Sequence, residues 1–203
     1  MLKKNTLMLS ALMLGLSAVG SGVDAADLDV PAALNGKATV LAPSDPAYAR
    51  ANVGNAVKAE GLGGVSQALV IQLSADLPVY RMWSGPVTTG NSNRMGSWWA
   101  FDRPQGSREG YRRAYEICGT WNELNWVAAC TLKAGSVVAI GPGQSVSAQT
   151  CADSSGYETY GTNARDWQVY VDKAWSRGAE LVCPPETSDY RANPADVTQP
   201  VTQ

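Results

Sequence analysis

The chain reads as an α+β protein. Three observations predict this class. A helix start at Ser44-Asp45-Pro46 precedes a glycine stop at residues 61–64. Short apolar words rich in β-formers recur between residues 77 and 183, each closed by Gly, Pro or small polar residues. A second amphipathic stretch, residues 107–118, sits among those strands.

The elements follow in order. Lys3 and Lys4, the apolar run Leu7 to Val19 and the small residues Val23-Asp24-Ala25 have the layout of a cleaved signal peptide, residues 1–25. The run is too short for a membrane anchor of about 20 residues, so no membrane span is expected after its removal. Residues 26–76 read as an N-terminal extension. It carries one helix from about Pro46 to Glu60 and an apolar word, Val65 to Leu73, that fits helix or strand. Leu77 to Trp83 reads as a strand, and residues 97–101 (SWWAF) as another. Ser107 caps a helix over residues 107–118, with Tyr111, Tyr115 and Cys118 on one side. Val127 to Leu132 and Ser136 to Ile140 are strands joined by the turn Lys133-Ala134-Gly135. Gly141 to Ser145 reads as a loop, Trp167 to Val171 as a strand and Ala179 to Cys183 as the last apolar run. Residues 184–203, rich in Pro, Thr, Asp and Gln, read as a flexible tail.

Composition narrows the chemistry. The 203 residues include no histidine, so a Ser-His-Asp triad, a Cys-His dyad and a His-liganded zinc are all excluded. Lys and Arg number 16 against 18 Asp and Glu, a net charge of −2, which disfavours nucleic acid as a partner. Arg103, Arg108, Arg112 and Arg113 form a local basic patch, read as a solvated helix face. There is no Walker loop, dinucleotide-binding glycine motif, EF-hand loop or metal-ligand cluster, so no metal and no bound cofactor are expected. Cys118, Cys130, Cys151 and Cys183 read as two disulfides in an exported chain, secreted or periplasmic. Of the three pairings, Cys118–Cys130 with Cys151–Cys183 is preferred because each joins neighbours along the chain.

Four segments hold polar groups among aromatic residues. Arg81, on a strand between Tyr80 and Met82, must be paired or bind an anion. Ser97, Trp98 and Trp99 follow on the next strand. Gln144 and Ser145 sit in the glycine loop, and Gln168 and Tyr170 share one face of a late strand. Seven Trp and eight Tyr against one Phe suit surfaces that stack on a ring.

This order resembles the ADP-ribosyltransferase family in its Arg–Ser–Glu arrangement. The string Arg81, Trp98-Trp99, Cys118, Trp121-Asn122, Cys130, Leu132-Lys133, Gly141, Gln144-Ser145 and Gln168-Val169-Tyr170 is similar to halovibrin-type secreted bacterial proteins that consume NAD. The resemblance covers about residues 77–172. It implies a split β-sheet core with an N-terminal helical segment, and a catalytic domain over residues 77–183. It also implies NAD as substrate rather than cofactor, with a protein acceptor or an inhibitor (immunity) protein as further partners. Arg81 and Gln168 would be catalytic. Ser97, Trp98, Trp99, Gln144, Ser145 and Tyr170 would bind substrate. The family's usual Glu-x-Glu or Gln-x-Glu is replaced by Asp166-Trp167-Gln168. Gln at this place is similar to the tuberculosis necrotizing toxin group, which hydrolyses NAD.

The expectation is therefore a secreted NAD glycohydrolase or mono-ADP-ribosyltransferase toxin. The alternative is an exported Trp-rich binding protein for carbohydrate or a protein partner, without catalysis. The two differ in geometry. The enzyme needs the Arg81 and Gln168 side chains on one aromatic-lined cleft.

Overall fold

The computed structural model describes residues 30–86 and 93–192. The expected leader, residues 87–92 and residues 193–203 lie outside them. Among the described residues nine strands form one sheet: β1 Ala38–Val40, β2 Leu69–Leu73, β3 Leu77–Trp83, β4 Trp98–Ala100, β5 Trp126–Leu132, β6 Val137–Gly143, β7 Asn163–Tyr170, β8 Leu181–Val182 and β9 Tyr190–Arg191. The helices are α1 Val53–Ala56 and α2 Arg108–Tyr115. Strand order is β1-β2-β6-β7-β4-β3-β5-β8, with β9 also on β5, and every ladder is antiparallel. The α+β class stands.

Alternation along the strands sets the layers. Trp167 and Val169 of β7 join Leu77, Val79 and Trp83 of β3, Ile71 of β2 and Ile140 of β6 in the main core. Gln168 and Tyr170 point to the other face, where Tyr170 packs with Val70, Val137 and Ala139. α2 lies on that other side, capped by the Ser107 hydroxyl, which accepts from the Gly110 amide at 2.9 Å.

Several expectations are corrected. The helix expected from Pro46 to Glu60 is a 3₁₀ turn, Tyr48–Ala51, followed by the single turn α1. Asn52 breaks it in the left-handed region (φ 50°), a conformation Asn tolerates, and its side chain donates to Asp172 Oδ1 at 3.1 Å. Residues 38–40 and 69–73, within the segment set apart as an extension, are strands of the same sheet, with β2 paired to β6 from Leu69↔Ile140 to Gln72↔Val137. Gly141 to Gly143 belong to β6 rather than to a loop. A Cβ on Gly141 would fall 2.0 Å from the Gln67 carbonyl oxygen, so glycine lets the bend before β2 approach β6 where the pattern signals a turn. Pro142 is tolerated beside a register shift between β6 and β7.

The disulfides are Cys118–Cys151 and Cys130–Cys183, not the pairing of chain neighbours. β8 explains the second. It pairs with β5 at Thr131↔Val182 and Leu132↔Leu181, which brings Cys183 beside Cys130.

That bridge also corrects the tail. Residues 184–192 carry a 3₁₀ turn and β9, whose Tyr190 pairs with Val127. Asp189 makes a fork of ion-paired hydrogen bonds with Arg94, at 2.6 and 2.7 Å, in a largely buried site. Among the described residues no helix is long and apolar enough to cross a membrane.

Replacing Cys130 and Cys183 together by Ser is expected to lower stability by about 2–5 kcal/mol. It should also open residues 184–192 to proteolysis, with the Cys118–Cys151 bond intact. Denaturant unfolding and limited digestion check both.

Candidate functional site

A cavity of about 170 Å³ opens between α2 and the sheet face that carries Gln168. Arg81, Trp98, Trp99, Tyr111, Tyr115, Glu116, Trp121, Asn122 and Gln168 contribute to its wall. Ligand sites for drug-sized molecules run to about 300 Å³ or more, so this volume suits one substituted ring.

The sheet creates the opening. β3 and β4 share a single register pair, Tyr80↔Ala100, while β4 continues to β7 from Ala100↔Gln168 to Trp98↔Tyr170. Tyr80, Ala100 and Gln168 thus form one row on one face. Arg81, one residue on, starts from the opposite face. It reaches into the gap where the β3–β4 ladder stops. There its Nε donates to Asn93 O at 3.0 Å and its Nη1 to Trp98 O at 2.9 Å. No carboxylate among the described residues pairs with it. Burial lowers its pKa to about 10, and it stays cationic at neutral pH. Gly96 permits this seat, since a Cβ there would meet the guanidinium at 2.3 Å.

Gln168 is buried at 5 % exposure. Its Nε2 faces three acceptors: Glu116 Oε2 at 2.9 Å, Tyr115 O at 3.3 Å and Gly64 O at 3.4 Å. Three acceptors around one atom fix the amide orientation of a residue in the cavity wall.

Glu116 is the residue that the sequence does not announce. It ends α2 in a left-handed turn (φ 48°), which swings its side chain under Gln168. It is 1 % exposed, and its Oε1 is buried without a hydrogen-bond partner. Burial raises its carboxyl to about 9; the hydrogen bond from Gln168 works against this and Asp166 adds to it. Gly143 gives the carboxyl its room, because a Cβ there would lie 1.9 Å from Oε2. Arg112 holds the segment by donating to Ile117 O, Cys118 O and Asn122 O, the last at 2.7 Å. The Cys118–Cys151 bridge anchors it further. A lone Glu between Tyr115 and Ile117 carries no pattern. Its one sequence signal is a carboxylate at a helix C-terminus, where the dipole disfavours it.

Of the other expected site residues, Trp98 and Trp99 join the cavity wall. Trp99 also anchors the core, its indole donating to Gly96 O at 2.8 Å. Ser97, Gln144, Ser145 and Tyr170 do not line it. The Ser97 carbonyl accepts from Val171 N at 2.8 Å. Gln144 donates to Lys58 O at 3.2 Å, and Ser145 Oγ accepts from Gly61 N at 3.0 Å, so both stitch loops together. Tyr170 packs against Trp98 with the rings tilted by 54° and their centroids 4.8 Å apart, and its hydroxyl donates to Asp172.

The four clustered arginines are engaged within the fold. Arg103 meets Tyr190, Arg108 meets Asn125, Arg112 holds the carbonyls above and Arg113 pairs with Glu109 at 3.1 Å. Among the described residues no cluster of His, Cys, Asp or Glu could hold a metal ion. Comparison with models of known families, with characterised proteins and with solved structures finds no match to this chain.

The raised Glu116 acid has a thermodynamic consequence. Between its ordinary value and about 9, the folded chain holds a proton that the unfolded chain has lost. Stability therefore falls as pH rises through that window, by at most about 1.4 kcal/mol per pH unit. Glu116→Gln is expected to remove this slope, as denaturant unfolding at pH 5, 7 and 9 would show.

Proposed function

We propose that this chain is an exported enzyme that cleaves the nicotinamide–ribose bond of NAD, acting as a glycohydrolase. One observation carries the reading: Arg81 and Gln168, far apart in sequence, line one cavity walled by Trp98, Trp99, Trp121, Tyr111 and Tyr115. The narrow β3–β4 junction, with one register pair, is consistent with an ADP-ribosyltransferase-like split sheet. The disulfides accord with export.

The chemistry suits a site without histidine. The nicotinamide ring of NAD is cationic, and the breaking bond returns its electron pair to the ring nitrogen. The leaving group departs neutral and needs no acid. The ribose is left as an oxocarbenium-like centre that water attacks, losing its proton to solvent. The cavity accepts the ring end of the substrate. Trp121, 45 % exposed, offers an aromatic face at the rim for the part that stays outside. Gln168 turns a carbonyl dipole toward the developing positive charge. Arg81 keeps N–H groups beyond the two given to Asn93 and Trp98, and these suit a phosphate oxygen. Glu116 is too deeply buried to touch a macromolecular acceptor, which favours water as the nucleophile.

The test is the oxidised mature chain incubated with NAD, following free nicotinamide. Gln168→Ala is expected to slow release by about 10²-fold or more. Arg81→Lys, which keeps the charge but loses the fork, should weaken substrate binding. Coenzyme left intact by the folded wild type would end this reading.

A further inference from the structure

The cavity sets an electrostatic problem. Among the described residues, Arg81 is the one Lys or Arg in its lining and Glu116 the one Asp or Glu. A ring that enters as a cation joins a site already holding a guanidinium. Unopposed, two positive charges in a poorly solvated space repel strongly. The lining offers one group able to answer them, and that group touches Gln168 at 2.9 Å.

We propose that Glu116 is a positioning residue that fixes the Gln168 carboxamide with its oxygen toward the cavity, and that it supplies the negative charge favouring a cationic ring over a neutral ring of the same shape. The proposal rests on reading the cavity as the site of the nicotinamide ring.

The geometry defines how it acts. Glu116 is almost without exposure, its Oε2 held on the Gln168 amide at 2.9 Å and its carboxyl packed against Gly143. Its influence passes through the amide. An ionised Oε2 draws on the Nε2 hydrogen and leaves the Gln168 carbonyl oxygen more negative. Tyr115 on α2 and Asp166 on β7 are its titratable neighbours, Gly143 on β6 is uncharged, and Arg81 on β3 is the cation of the shared cavity. Tyr115 is itself pushed well above the usual phenol range by burial and stays neutral. In the empty cavity the acid holds its proton up to about pH 9. A cation arriving beside Gln168 favours the carboxylate, so binding at neutral pH releases a proton from Glu116 to the buffer.

The experiment uses the full oxidised chain and two small probes, 1-methylnicotinamide as the cation and nicotinamide as the neutral ring. Their binding is followed by tryptophan fluorescence from pH 6 to 10. For wild type, the preference for the cation is expected to grow by about tenfold per pH unit as pH rises toward 9, then level off. Calorimetry in two buffers of different ionisation enthalpy should show proton release with the cation and none with nicotinamide. Glu116→Gln keeps the amide contact without the charge, and its preference should be flat with pH. A flat wild-type preference, an unaltered profile in Glu116→Gln, or the absence of proton release would each overturn the proposal. If that variant does not fold, the two-buffer measurement on wild type decides alone. Failure of both probes to bind overturns the proposal together with the nicotinamide reading. Selective binding by a protein that leaves NAD intact overturns only the hydrolase assignment.

Discussion

A single guanidinium bridges the sheet where its hydrogen-bond ladder gives out. β3 and β4 meet at Tyr80↔Ala100, and past that point Arg81 substitutes side-chain donors for the missing backbone ones, taking the carbonyls of Trp98 and Asn93. Two carbonyls that would otherwise face an apolar gap are thereby satisfied, at about 1.5–3 kcal/mol for each bond from a charged donor. The same substitution opens the cavity, because strands joined by a long side chain stand further apart than strands joined by a ladder. Lys would keep the charge and could still donate to these carbonyls, but its ammonium lacks the planar fork that leaves further N–H groups for a ligand.

Glu116 and Gly143 form the second constraint. A buried carboxyl with an orphaned oxygen costs about 1–3 kcal/mol for the unmade bond alone. A left-handed non-glycine residue adds about 1–2 kcal/mol. Neither cost is needed to end a helix, which a glycine would do more cheaply. The fold offsets them through Arg112, which gathers three carbonyls of the following turn, and through the Cys118–Cys151 bridge. Left-handed residues also stand at Asn52, Leu124, Ala152 and Lys173, but at Glu116 the strained backbone coincides with an orphaned carboxyl oxygen beside Gln168.

Local alternation was legible in the sequence wherever one strand face is buried. It placed Arg81 apart from its neighbours on β3 and put Gln168 on the face of β7 away from Trp167 and Val169. The helix at α2 and its Ser107 cap were legible for the same reason. What failed depends on distant partners. Cys130 meets Cys183 because β8 returns to β5, a pairing that no spacing encodes. Gly141 and Gly143 read as turn residues, yet they are strand positions that need room for Gln67 and Glu116. Gln144 and Ser145 read as a ligand loop, yet their partners are Lys58 and Gly61, remote in sequence. Glu116 stayed hidden because its meaning comes from Gln168 and Gly143, each on a strand that follows it.

The absence of histidine then acquires a physical sense. Histidine in the wall would change charge near neutral pH, and the charge of the cavity would change with it. Here the lining groups with resolved shifts sit outside that range: Glu116 at about 9, Arg81 at about 10 and Tyr111 at about 12. At neutral pH, among the described lining residues, Arg81 is therefore charged and Glu116 is not. A site of constant charge discriminates by what enters it rather than by ambient pH. Under the proposed reading, the electrostatic response is held back in Glu116 until a ligand's own charge draws it out, which would couple ring recognition to the polarity of the Gln168 amide.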